Sequence, residues 1–209
     1  MENQAHQILK GQHFNAVQRI TAIAVLSSLG TVLMLFEIPV LVMAIDLSDV
    51  VILITFFLFS WREAFAVAFF KTAAHVLFRG AVGPIAIGQI SAFIASSMYV
   101  FGFYIAIRLL RLKRRISISL CVIIVVSIAM IIANYFLVTP VYLGMSLSEA
   151  RAIVTPQMFG IEWFDAGYWV TILTVFAAFN LLKGSIILPV FWLLREPIRS
   201  YLDHHNVNP

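Results

Sequence analysis

Charge is what this chain has least of. Asp, Glu, Lys and Arg make up 11% of its 209 residues, while 62% are hydrophobic. Soluble domains carry about 25% charged residues, so a soluble globular fold is excluded. A mean hydropathy of +0.98 places the chain in a bilayer. Cysteine is nearly missing: Cys121 stands alone inside an apolar run. That excludes an intrachain disulfide and reads as a small core or lipid-facing side chain. H-E-x-x-H, G-x-S-x-G and the P-loop do not occur, so neither hydrolytic nor nucleotide-driven chemistry has an anchor. His75 has no Cys or second His at ligand spacing, and no metal site is expected. The chain reads as a non-enzyme without a cofactor, and any nucleotide-driven motor would come from another chain.

A net charge of +4 invites a nucleic-acid reading. Most Lys and Arg, however, sit in short connections between apolar runs, the pattern that orients membrane proteins. No nucleic-acid partner is expected; the lipid bilayer is. Residues 1–16 form a polar N-terminal segment with Lys10, His6 and His13. It lacks an apolar core followed by a small-residue cleavage site, so no cleaved signal peptide is expected. His204 and His205 belong to the other solvated tail.

Apolar runs occupy residues 20–36, 50–60, 64–78, 85–110, 116–138 and 168–194. Glu37-Ile-Pro39 breaks the first run. Ser48 and Asp49 provide a helix start for the second. Trp61-Arg62-Glu63 reads as a tight cytoplasmic turn, and Arg79-Gly80 through Gly83-Pro84 as an outer loop. Arg108, Arg111, Lys113, Arg114 and Arg115 mark the cytoplasm, with Arg195, Glu196 and Arg199 closing the last run on the same side. The fold expected is an all-α, six-transmembrane-helix bundle forming one membrane domain, with both termini cytoplasmic. Thr139-Pro140 is expected to end the fifth helix. Residues 139–167 then form an extracellular lid-like segment, longer than a plain connector, in which Ser146-Leu-Ser-Glu149 has capping-box spacing.

The functional signal is a polar stripe. Lys71, His75 and Arg79 recur every four residues and so share one helix face. A cation inside a membrane span costs several kcal/mol unless it meets water, a counter-charge or a ligand. Gln89, Asn134, Asn180 and Lys183 also lie within apolar runs, Asn180 and Lys183 on one face. Trp163, in the lid-like segment, completes the candidate contacts. Acids are missing from the spans, although Asp46 and Asp49 can reach inward from the first connection. The outer half therefore leans positive, which favours a ligand with a carboxylate or phosphate. The bland alternative is that Lys71 snorkels to the interface or pairs with Asp49.

These pieces together resemble the substrate-binding S components of energy-coupling factor (ECF) vitamin transporters, in their riboflavin-type branch. The resembling segments are Leu47-Ser-Asp49, Lys71 through His75, Asn134-Tyr-Phe, and Phe179-Asn180-Leu-Leu-Lys183-Gly184. The resemblance implies a vitamin-capture subunit working with a membrane coupling subunit and two ATPases. It implies solute binding near the outer face and release by toppling in the membrane. Ala24 and Ser28, four apart, match the family's small-xxx-small motif for contact with the coupling subunit; Ser28 departs from the usual Ala, and ordinary packing is the other reading. Gly88-Gln89-Ile-Ser91 departs from the Gly-Glu-x-Ala-Asn-like pattern of the riboflavin branch. Riboflavin is neutral and needs no arginine, whereas pantothenate is a carboxylate that suits Arg79. Pantothenate is thus the expected solute and riboflavin the alternative. A non-transport membrane scaffold, with no pocket, is the alternative from another class. An autonomous secondary carrier is disfavoured by the lack of inverted repeats and of membrane-depth acids.

Overall fold

The computed structural model describes residues 15–40 and 43–204, with side chains through residue 200. The N-terminal residues 1–14, with Lys10, His6 and His13, and the C-terminal His205 lie outside the described residues. Helix α1 spans Ala16–Leu35. A short antiparallel ribbon follows, β1 (Ile38–Val40) and β2 (Met43–Ile45), paired in the register Ile38 with Ile45. Then come α2 (Ser48–Leu58), α3 (Trp61–Arg79) and α4 (Ile87–Tyr104). Helix α5 (Arg115–Ala133) passes through a widened turn, Asn134–Val138, into α6 (Thr139–Leu143). A small helix α7 (Leu147–Ile153) and the long α8 (Tyr168–His204) complete the chain.

Four stretches are long and apolar enough to cross a bilayer: Ala16–Leu35, Pro84–Leu109, Arg115–Leu143 and Tyr168–Ser200. Helix α2 is apolar but has 11 residues, about 17 Å of rise. Helix α3 has 19 residues but carries Arg62, Glu63, Lys71 and Arg79. An outward belt on α1, including Val17, Ile20, Val25 and Leu29, is exposed; in a bilayer it meets acyl chains.

The local expectations fail in two places for identifiable reasons. Trp61-Arg62-Glu63 is the first turn of α3, not a loop, because Ser60 caps it: its hydroxyl accepts from the Arg62 N–H and also contacts Glu63. The reversal therefore takes place over Phe59 and Ser60 alone. Thr139-Pro140 does not end the fifth helix. Proline removes a backbone donor and normally breaks a helix. Here the preceding turn is widened to i,i+5 bonding, with Thr139 N–H donating to the Asn134 carbonyl. The Tyr135 carbonyl, whose partner in that pattern would be Pro140, accepts instead from the Tyr168 hydroxyl at 2.7 Å. This bond also pins the start of α8 to α5. The capping box of α7 forms as the spacing predicts, Ser146 and Glu149 bonding reciprocally. The Ser146 backbone N–H and hydroxyl hold the Glu149 carboxyl below its ordinary pKa.

The two ends of the bundle differ. At one end Arg19 pairs with Glu63 at 3.0 Å and Arg115 with Glu196 at 2.6 Å. Buried Arg195 lies over the Phe57 and Trp192 rings. The core of this half is aliphatic and aromatic, with Phe56, Phe103 and Phe191 fully enclosed. Close helix approach depends on glycine where α5 meets α8. A Cβ on Gly184 would lie 2.6 Å from Ile123 Cγ1, well inside contact distance. Gly184→Ala is therefore expected to cost about 1–3 kcal/mol by overpacking, read as a lower thermal midpoint of the purified protein in detergent. An unchanged midpoint would show that Ile123 can move aside.

Candidate functional site

At the opposite end the early turns of α2, the end of α3 and the middle of α8 bring four charges together. Asp49, in the first turn of α2, is 1% exposed. Lys71 Nζ contacts its Oδ1 at 3.2 Å and Lys183 Nζ its Oδ2 at 2.7 Å. Ser96 donates to Oδ1 at 2.5 Å. Asp46 adds a second carboxylate, 3.5 Å from Lys183 Nζ, and its Oδ1 accepts from the Ser48 N–H at 2.8 Å. Lys71 Nζ also donates to Ser48 Oγ at 2.5 Å. Two ammonium groups thus face two carboxylates, and the cluster is neutral. Burial on this scale is tolerable only with such mutual pairing.

Above the cluster is a cavity of about 500 Å³, within the usual range for small-molecule sites. Its floor is Asp46, Lys183 and Ala95; its walls include His75, Gln89, Asn134 and Asn180; Val154, Met158 and Phe159 from the segment after α7 cover it. Asn134 Nδ2 donates to the Met130 carbonyl and Asn180 Nδ2 to the Phe176 carbonyl, both at 2.7 Å. Each bond fixes the carboxamide so that Oδ1 is left without a partner among the described residues. The cavity therefore offers two free amide oxygens, and its wall is otherwise largely apolar, with Met34, Met130, Phe176 and Phe179.

Five of the residues singled out from sequence line this cavity: His75, Gln89, Asn134, Asn180 and Lys183. Three do not. Lys71 lies behind it, 1% exposed and held by Asp49 and Ser48, the pairing weighed as its bland alternative. Arg79 sits at the end of α3 with its side chain 42% exposed, paired with Glu37 at 2.7 Å. Trp163 is 88% exposed and borders a separate, apolar hollow with Phe164, Val175 and Leu182. The expected positive balance of the outer half is thus corrected: Asp46 and Asp49 reach inward and Glu37 holds Arg79, so each cation there has its acid. Sequence reasoning missed Glu37, Asp46 and the covering Met158 and Phe159 as lining residues. The acids were visible in the first connection, but their burial depends on α3 and α8; the cover left no local signal. On α1, Ala24 and Ser28 lie on the exposed face, Ser28 Oγ donating to the Ala24 carbonyl at 2.9 Å.

A bundle of apolar helices with a covered, polar-lined chamber at one end defines a membrane solute-binding protein. The sequence profile described as "ECF transporter, substrate-specific component" matches residues 18–195, and the chain belongs to that family. As a member it is an integral protein of the plasma membrane that binds substrate for a transporter. The riboflavin transporter FmnP of Bacillus subtilis is 24% identical over 192 residues, spanning 90% of this chain and 95% of that protein. The riboflavin transporter RibU of Streptococcus thermophilus is 25% identical over 190 residues, spanning 88% and 84% respectively. A solved structure described as "Structure and mechanism of the S component of a bacterial ECF transporter" aligns with a TM-score of 0.66 at 24% identity, over 90% of this chain and 99% of that one. At that identity it speaks for the fold.

Proposed function

We propose that this protein captures riboflavin at the outer face of the membrane and delivers it to an ECF transport complex. The observation that carries this is the matched charge of the chamber. Asp46, Asp49, Lys71 and Lys183 sum to zero, and Glu37 neutralises Arg79. A carboxylate ligand would find no unpaired cation, so the reason for preferring pantothenate is gone. A neutral, largely aromatic solute with several hydroxyls fits an apolar wall and two free carboxamide oxygens, and both relatives above are riboflavin transporters. His75, Gln89, Asn134, Asn180 and Lys183 are the contacts we assign. A scaffold role predicts no chamber, and the chamber argues against it.

In this reading the bundle crosses the membrane six times, with α2 and α3 completing the set and both termini in the cytoplasm. The basic end formed by Arg19, Arg115 and Arg195 supports that orientation. Residues 139–167 serve as the extracellular lid. ATP hydrolysis belongs to two partner ATPases, and a membrane coupling subunit contacts the open Ala24/Ser28 face as the subunit topples.

Titration of riboflavin fluorescence with the purified protein tests the proposal. Riboflavin is expected to bind with submicromolar affinity, and excess pantothenate not to displace it. Displacement by pantothenate would reverse the assignment. Arg79→Ala is expected to change riboflavin affinity by less than about 3-fold, since a half-exposed ion pair contributes little. A large loss would return Arg79 to the site.

A further inference from the structure

Gln89 and His75, both 1% exposed, meet at the edge of the chamber. The Gln89 carboxamide bridges the loop between α3 and α4. Its Oε1 accepts from the Val82 N–H at 3.0 Å, and its Nε2 donates to the Gly80 carbonyl at 2.8 Å. These two backbone contacts allow only one orientation of the amide, because the flipped form would set donor against donor and acceptor against acceptor. The second hydrogen on Nε2 then points at His75 Nδ1, 3.3 Å away. An amide nitrogen cannot accept, so Nδ1 must present its lone pair. The imidazole is consequently neutral and carries its proton on Nε2. That nitrogen is buried and has no hydrogen-bond partner among the described residues.

A buried, unpartnered donor is costly, and His75 lines the chamber. We infer that His75 Nε2–H is a specificity donor, held in that tautomer by Gln89, and that it selects a ligand presenting a hydrogen-bond acceptor at this edge of the site. It is complementary to Asn134 and Asn180, whose free oxygens select donors. Gln89 is a positioning residue: it acts on the ligand through the tautomer of His75. The loop closed by Gly80 and Val82 is thereby coupled to the chemistry of the pocket wall.

The inference rests on the riboflavin reading only for its binding probe, and a ligand-free measurement stands apart from it. In 15N-histidine-labelled wild-type protein, the His75 resonances are identified by their loss in His75→Gln. They are expected to show a protonated Nε2 and a bare Nδ1 without ligand, and Gln89→Glu is expected to move the proton to Nδ1. A protonated Nδ1 in the wild type overturns the inference. In riboflavin titrations, His75→Gln, which restores an N–H near the Nε2 position, should stay within about 5-fold of wild type. His75→Phe should weaken binding about 10- to 100-fold, the range for a buried bond whose partner is lost. If His75→Phe does not fold, Gln89→Glu carries the same expectation. Unchanged affinity in the folded variant overturns the inference while leaving the ligand reading intact. A wild type that binds no riboflavin sinks the ligand reading, and the tautomer measurement then decides alone.

Discussion

Asp49→Ala is expected to destabilise the protein by about 3–5 kcal/mol, the range for removing one partner of a buried ion pair. Asp49 is the hub of the cluster: Lys71, Lys183 and Ser96 all converge on its carboxylate within 3.2 Å. Alanine would leave Lys71 with only a hydroxyl partner and Lys183 with Asp46 at 3.5 Å. Neither ammonium has water to retreat to, both being buried. Since a folded domain is stable by only about 5–15 kcal/mol, such a loss should be plain in thermal melting of the purified protein in a fixed detergent. Asp49→Asn should cost less, because it keeps the shape and one acceptor. Adding Lys71→Met to Asp49→Ala should recover part of the loss, because it removes one stranded charge; the two changes should therefore be non-additive. A melting point for Asp49→Ala equal to wild type would mean that water reaches the cluster and that these charges are not desolvated.

The same cluster shows how far the sequence can be read. Four-residue spacing places Lys71, His75 and Arg79 on one face of a helix, and that face does turn inward for the first two, each 1% exposed. Spacing cannot say which of three cations on a stripe is already matched. Arg79 occupies the last turn, where its long side chain reaches Glu37 beyond the end of α1. Asp46 and Asp49 belong to a short connection that reads as surface. Their burial follows from α8 laying Lys183 against the start of α2, a contact between segments far apart in the chain. Local rules are reliable where one turn decides the outcome, as in the Ser146/Glu149 cap. They fail at Pro140, where the decisive group is a tyrosine hydroxyl from another helix. The family resemblance was legible because its motifs carry the cluster itself. The solute was misjudged because counting cations without their acids makes a neutral site look positive.

Comparison of Lys71→Met with Lys183→Met separates holding the fold from holding the ligand. Both remove an ammonium from Asp49, and both are expected to lower stability by a similar amount. Only Lys183 also lines the chamber. Its loss leaves Asp46, which borders the same floor, without its ion partner, so a carboxylate is exposed to the bound solute. Riboflavin would have to cover an uncompensated negative charge as well as forgo any contact with Nζ. Losing one member of a desolvated charge pair costs binding about 2–5 kcal/mol, so Lys183→Met is expected to raise Kd by at least about 30-fold. Lys71→Met, behind the wall, should change the Kd of the folded fraction by less than about 5-fold, because Lys183 still compensates the carboxylates that face the ligand. The measurement is riboflavin titration at a temperature well below both melting points, with the folded fraction set by size-exclusion chromatography. Equal losses of affinity in the two variants would show that the four charges act on the ligand as one unit. An unaffected Lys183→Met would place the solute elsewhere in the chamber, against the Asn134 and Phe159 side and away from its charged floor.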